Sequence, residues 1–164
     1  MISAKTQKAL NKHLNEELYS SYLYLSMAAY FEGKNLKGFA NWMKIQSTEE
    51  YGHAMKFYGY VLQVGGKVTL AQINAPKATW KNHMEVFNET LEHEKSITDM
   101  INKLVDIAIL EKDHATNNFL QWFVNEQVEE VATTEDIVNK LEMIGDNKNG
   151  LFMLDRELGS RTTA

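Results

Sequence analysis

The chain has 164 residues, of which 44% are hydrophobic and 24% charged, amounts that are typical of a single globular domain. It contains no cysteine, which excludes disulfide bonds, thiolate zinc sites, iron–sulfur clusters and cysteine nucleophiles. The net charge is −5 and no cluster of lysine or arginine offers a surface for phosphates, so nucleic acid is not an expected partner.

The amino-terminal residues bear on where the protein works. Residues 1–5 lack the charged, apolar and small-residue regions of a secretion signal. No apolar run is long enough to cross a bilayer. We therefore expect a cytoplasmic protein that has no membrane partner and that forms one domain over residues 1–164.

Proline and glycine are placed as in an all-α protein. Pro76 is the only proline, and the glycines fall largely where long periodic segments end. We predict four long helices at about 3–32, 35–64, 82–112 and 114–144, then a short fifth helix at about 149–158 and a frayed polar tail.

The connections between these helices predict a four-helix bundle. The first two helices, and likewise the third and fourth, are joined tightly enough to form antiparallel hairpins. The long connection over residues 67–81 is extended enough to cross the bundle, which would make the second and third helices parallel. The sequence alone also permits a third hairpin there.

Each long helix carries an apolar stripe that a polar residue interrupts near its middle. In the first helix the stripe is Leu10, Leu14, Glu17, Ser21, Leu25 and Ala28. The interrupting residues of the four helices are, in chain order, Glu17, Glu50 with His53, Glu94, and Gln127 with Glu130. Their distances from the predicted turns place them at one level of the bundle.

Several carboxylates inside one core require compensation, because a buried unpaired carboxylate costs considerable free energy. Either protonation or cations that the carboxylates bind would supply it, and a metal cluster is the simpler answer. A set of ligands that is rich in oxygen and has one imidazole disfavours zinc and suits iron or manganese, and we expect iron.

At this point the chain resembles the ferritins over essentially its full length. The motifs that carry the resemblance are Glu17-Leu18-Tyr19-Ser20-Ser21, Glu50-Tyr51-Gly52-His53, Asn118-Phe119-Leu120-Gln121-Trp122 and Asn125-Glu126-Gln127-Val128-Glu129-Glu130. Ferritin-like di-iron bundles commonly carry two Glu-x-x-His motifs. Here the second is altered to Gln127-Val128-Glu129-Glu130, as in the bacterial and archaeal ferritins. Gly52 stands where bacterioferritins have their haem-binding methionine, so haem is not expected.

The resemblance implies two paired iron sites. One would be formed by Glu17, Glu50 and His53, and the other by Glu50, Glu94 and Glu130, with Glu50 bridging. Residues implied beside this pair are Gln127 as a hydrogen-bonding neighbour, Tyr24 as an electron donor, and Glu49, Glu126, Glu129 and Glu130 as a third iron site. The residues alone would place Glu49, Glu126 and Glu129 on the surface.

The implied function is iron storage with ferroxidase activity. Two Fe²⁺ ions would be oxidised by O₂ or H₂O₂, and the ferric product would be kept as mineral in a hollow octahedral homo-oligomeric cage. Clustered aromatic and apolar residues that we place on the outer face of the first helix suggest contacts between subunits: Tyr19, Tyr22, Leu23 and Tyr30. The isolated histidines, which we assign surface or packing roles, are His13, His83, His93 and His114.

Two other classes of function remain to be separated from this one. An oxygen-activating or peroxide-reducing di-iron enzyme of the rubrerythrin type normally carries a cysteine-bearing electron-transfer module, which the absence of cysteine disfavours. A mini-ferritin that coats DNA binds iron between subunits and often has basic tails, neither of which fits this sequence.

Overall fold

The computed structural model describes residues 2–163 and contains five helices. They are α1 (Ala4–Gly33), α2 (Lys37–Gln63), α3 (His83–Leu110), α4 (His114–Ile144) and α5 (Lys148–Gly159). The ends of the predicted and observed helices differ by at most two residues. The all-α fold, with four long helices and a short fifth one, is confirmed.

Short polar side chains begin most of these helices, as N-caps should. Ser3, Asn82 and Asp113 each accept a hydrogen bond from the backbone N–H three residues later. The start of α2 has no such cap from the residue that precedes it. Asp155 of α5 supplies one instead, because its Oδ1 accepts from the N–H groups of Gly38 at 2.9 Å and Phe39 at 3.1 Å.

The long connection between α2 and α3 runs along α1. Its backbone is held by amide side chains spaced four residues apart on that helix, so that Lys67 N–H donates to Gln7, Thr69 N–H to Asn11, and Ala71 N–H to Asn15. Further along, the hydroxyl of Ser26 donates to the carbonyl of Lys77 at 2.7 Å. The connection therefore crosses the bundle from the start of α1 towards its end. The crossover is confirmed, and α2 and α3 are parallel.

Two apolar clusters fill the ends of the bundle. One contains Phe31, Phe39 and Phe87, and the other contains Leu14 and Phe57. The polar level that the interrupted stripes predicted lies between these clusters. None of the helices in residues 2–163 combines the length and apolar character needed to cross a membrane.

The predicted inward face of α1 is wrong at one position, and its outer face at another. Leu25 is 50% exposed, whereas Leu23, which we expected on the outer face, is 3% exposed. A helix turns by ~100° per residue, so a step of eight residues from Glu17 to Leu25 ends ~80° away from the face of Glu17. Tyr24, seven residues from Glu17, returns within ~20° of that face and is fully buried.

Candidate metal centre

Six side chains from the four long helices converge between the two apolar clusters. All are buried: Glu17, Glu50, His53, Glu94, Gln127 and Glu130. They include two groups of possible metal ligands, Glu17–Glu50–His53 and Glu50–Glu94–Glu130, and in each group the ligand atoms lie within 4.8 Å of one another. The two groups share Glu50 and coincide with the paired sites that the resemblance implied. That they bind iron stays a prediction.

Local helix geometry brings Glu50 and His53 together, because residues three apart lie on the same face. His53 Nδ1 lies 3.1 Å from Glu50 Oε2. One turn earlier, Gln46 Nε2 donates to Glu50 Oε1 at 3.0 Å and to Glu130 Oε2 of α4 at 2.8 Å. Gln46 thus connects the two helices that contribute most of the candidate ligands.

Two donors hold Glu94 on α3. The hydroxyl of Tyr24 donates to Glu94 Oε1, and Gln127 Nε2 donates to Glu94 Oε2 at 3.2 Å. The amide of Gln127 also donates to Thr98 Oγ1 at 3.2 Å. Tyr24 and Gln127 therefore lie where the resemblance implied, beside one carboxylate of the pair.

Burial and mutual repulsion favour the neutral form of most of these carboxyl groups. Burial raises the pKa of Glu50 to about 8, and the charge of Glu17 adds to this effect. The hydrogen bond to His53 lowers the same pKa but does not outweigh burial. Burial and the charge of Glu50 raise the pKa of Glu94 to about 8. Burial and Glu94 raise the pKa of Glu130 to about 7. A cation that enters at neutral pH must therefore displace protons.

The pKa values of His53 and Glu17 move so as to favour their charged forms. Burial lowers the pKa of His53, but the hydrogen bond to Glu50 and the surrounding carboxylates outweigh it and raise that pKa to about 9. Burial raises the pKa of Glu17, but the hydrogen bond and charge of His13, with the charge of His53, outweigh it and lower the pKa. A positive charge is thus favoured in this part of the core.

One oxygen of Glu17 gives independent support for a bound cation. Glu17 Oε2 is buried and has no hydrogen-bond partner among residues 2–163. An unsatisfied buried carboxylate oxygen is expensive, and a metal ion is a ligand that would satisfy it. The oxygen belongs to the group that also contains Glu50 and His53.

The structure gathers only part of the implied third site. Glu126 and Glu130 form a group of possible ligands with His53. Glu49 and Glu129 belong to no such group among residues 2–163. Glu129 is exposed, while Glu49 Oε2 accepts a hydrogen bond from Arg161 at 2.6 Å. The third site stays a prediction.

Three residues beside the candidate ligands were not assigned from the sequence. His13 is buried, not on the surface, and its Nε2 is hydrogen-bonded to Glu17 Oε1 at 2.8 Å. Gln46, which has no role in the sequence analysis, bonds to Glu50 and Glu130. Both stand four residues before a ligand on the same helix face, and that spacing is the signal that could have identified them. Arg161, in the tail that we expected to be frayed, gave no local signal.

Comparison with known proteins agrees with this architecture. The family model described as a ferritin-like domain matches residues 7–144. A bacterial non-heme ferritin of Bacteroides fragilis is 46% identical over 161 residues, covering 98% of this chain and 100% of that protein. A bacterial non-heme ferritin of Staphylococcus aureus is 38% identical over 162 residues, covering 99% of this chain and 98% of that protein.

Solved structures give the same result. An engineered closed form of the Archaeoglobus fulgidus ferritin superposes with a TM-score of 0.99 at 48% identity, over 100% of both chains. An open-pore ferritin from the same archaeon superposes with a TM-score of 0.98 at 49% identity, covering 99% of this chain and 100% of that one. The chain therefore belongs to the ferritin family.

Proposed function

We propose that this chain is the subunit of an iron-storage protein that oxidises Fe²⁺ at a paired site and keeps the ferric product as mineral. The observation that carries the proposal is the pair of ligand groups that share Glu50, built from carboxylates and one imidazole. Such an oxygen-rich set suits iron. Membership of the ferritin family supports iron as the metal that is stored.

The two ions are held by different helices. Glu17 and His53 hold one Fe²⁺ and Glu94 and Glu130 hold the other, while Glu50 reaches both. The two ions together supply two electrons, which with two protons reduce O₂ to H₂O₂ or reduce H₂O₂ to two molecules of water. The iron supplies the redox chemistry, and the protein holds both ions close to one oxidant.

The chemistry of the ligands also favours release of the product. Glu130 occupies the position at which a second Glu-x-x-His motif would place histidine, so one of the paired sites is formed by oxygen ligands alone. A carboxylate can change between one and two bound oxygens as the iron changes valence. We infer that ferric iron leaves from this side, towards a third site that Glu49, Glu126 and Glu129 complete with Glu130.

Tyr24 is included in the proposal as a further electron donor. Its hydroxyl donates to Glu94, so it stands one hydrogen bond away from the paired site. Burial, followed by the charge of Glu94, raises the pKa of Tyr24 well above its usual value, so the phenol keeps its proton. Oxidation of Tyr24 would therefore require that the proton be passed to an acceptor, and Glu94 is the acceptor in contact with it.

The shell and the location are proposed on the same grounds. We propose a cytoplasmic, octahedral homo-oligomer, supported by the ferritins with which the chain superposes and by exposed aromatic residues such as Tyr22 and Tyr58. Haem is not part of the proposal, because Gly52 offers no ligand. Each ligand group is complete within one chain, which favours this function over a mini-ferritin with iron between subunits.

Anaerobic titration of the purified protein with Fe²⁺ tests the proposal. We expect saturable binding of roughly two to three ions per chain, followed by rapid oxidation of two ions when O₂ is admitted. His53→Ala should weaken the binding of the first ion, whereas His114→Ala, at an exposed histidine, should leave it unchanged. Binding that does not saturate in the unaltered protein would rule the proposal out.

A further inference from the structure

The segment that follows α5 returns to the candidate metal centre. There the guanidinium of Arg161 donates through NH2 to Glu49 Oε2 at 2.6 Å and through NH1 to Gln46 Oε1 at 3.0 Å. NH1 also donates to the carbonyl of Trp42 at 3.3 Å, and the guanidinium carbon lies 4.5 Å from the centre of the Trp42 ring. The side chain of Arg161 is only 21% exposed. The cation is therefore held in one place.

The backbone of the segment is fixed as well. Asn41 Nδ2 donates to the carbonyl of Arg161 at 3.1 Å. A few residues earlier, Asp155 caps α2 through the N–H groups of Gly38 and Phe39. Because α2 also carries Glu49 and Glu50, the docking of the carboxyl-terminal segment and the ligands of the site share one rigid helix.

Gln46 connects the guanidinium to the paired site. Its amide oxygen accepts from Arg161, so its amide nitrogen faces Glu50 and Glu130, to which it donates. Without the guanidinium of Arg161 as a donor, the amide of Gln46 would lose the contact that selects this orientation. Arg161 thus lies one side chain away from the carboxylate that the two ligand groups share.

We propose that Arg161 is a positioning residue at the Glu49 side of the metal centre. Its guanidinium is bonded to the carboxylate of Glu49 and keeps a metal ion from binding there until the guanidinium moves away. The inference rests on the proposed function. The guanidinium makes a charge-assisted bond to the same oxygens that a metal ion would need. An ion that binds Glu49 must break this bond, so the third ion is held more weakly than the carboxylates alone would hold it.

Arg161→Gln tests the inference, with Arg156→Gln as the matched control. Arg156 is exposed near the end of α5, so its replacement removes the same charge outside the contact with Glu49. Anaerobic Fe²⁺ is titrated calorimetrically into the assembled protein. We expect Arg161→Gln to bind the third ion about threefold to tenfold more tightly than the unaltered protein, and Arg156→Gln to change its binding by less than about twofold.

Glu49→Gln shows whether Arg161 acts through Glu49. In the Glu49→Gln background we expect Arg161→Gln to give no further increase in third-ion affinity, because the carboxylate that Arg161 occupies is already absent. A gain that persists without Glu49 would overturn the inference, as would third-ion binding that is absent or unchanged in Arg161→Gln. Failure of the proposed function is recognised separately, because the unaltered protein would then show no saturable binding of the paired ions.

Discussion

Glu94→Gln should stabilise the iron-free protein while it abolishes rapid iron oxidation. Glu94 is buried, and its pKa of about 8 in the folded protein compares with an ordinary value of 4.5. At pH 7 that difference destabilises the fold by about 3 kcal/mol, because the unfolded carboxyl ionises freely and the folded one does not. Glutamine removes this cost and keeps an oxygen that accepts from Tyr24.

Part of the gain is lost at Gln127. Its amide nitrogen donates to Glu94 Oε2, where the variant presents an NH₂ group instead. A lost buried hydrogen bond of this kind costs about 1 kcal/mol, so we expect a net stabilisation of about 1–2 kcal/mol per chain at pH 7. Leucine would leave the hydroxyl of Tyr24 without the carboxylate that accepts from it and is a poorer probe.

The pH dependence gives the sign of the effect. A raised carboxyl pKa means that the folded state binds more protons, so this group's contribution to stability falls as pH rises from about 4.5 to about 8. The advantage of Glu94→Gln should therefore be small at pH 4.5 and grow through this window. Chemical denaturation of the iron-free protein at several pH values measures it.

Glu92→Gln is the control for the same measurement. The side chain of Glu92 is 75% exposed on the same helix, so its replacement should change neither stability nor iron oxidation appreciably. The reasoning is refuted if Glu94→Gln is no more stable than the parent at pH 8, or if its stability advantage does not depend on pH. Unchanged oxidation in Glu94→Gln would refute its place in the metal centre.

The same geometry predicts the behaviour of variants at His53, Tyr24 and Asp155. His53→Ala should slow the rapid phase of O₂-dependent oxidation by at least about tenfold in stopped-flow absorbance, and a normal rate would exclude His53 as a ligand. Tyr24→Phe should keep the number of bound Fe²⁺ ions but alter the later electron transfers. A radical signal should then be trapped by freeze-quenching in the unaltered protein and be absent in the variant. Asp155→Ala should lower stability by about 1 kcal/mol through loss of the cap on α2, whereas Glu135→Ala, at an exposed acid, should not.

The sequence predicted the helices from their periodic apolar residues. It predicted the level of the site because acids are conspicuous on an otherwise apolar helix face. Glu17 and Glu94 each interrupt the apolar stripe of a helix, and a buried acid there must either be protonated or be paired with a cation. The sequence does not decide the direction of the long connection, since the amides of Asn11 and Asn15 look like ordinary surface groups until the backbone that they bind is in place.

Local sequence patterns could not predict contacts between residues that are distant in the chain. Arg161 meets Glu49 across 112 residues, and nothing in the spacing of either side chain indicates the other. His13 looks isolated in the sequence, although its contact with Glu17 lies only one turn away on the same helix. The prediction for Leu25 is wrong because two successive steps of four residues turn the helix by ~80° away from the face of Glu17.

The division of the ligands between helices bears on the mechanics of the bundle. Glu17, Glu50 and His53 all belong to the hairpin of α1 and α2, whereas Glu94 and Glu130 belong to the hairpin of α3 and α4. In the proposed arrangement, an ion at Glu17, Glu50 and His53 would link residues of one hairpin, whereas an ion at Glu50, Glu94 and Glu130 would link the two hairpins to each other. By linkage, every ion that joins the two hairpins would resist their separation, and a force that parts the hairpins would weaken the binding of those ions. Loading with iron would therefore make the two hairpins harder to separate, and release of the ferric product would make them easier to separate.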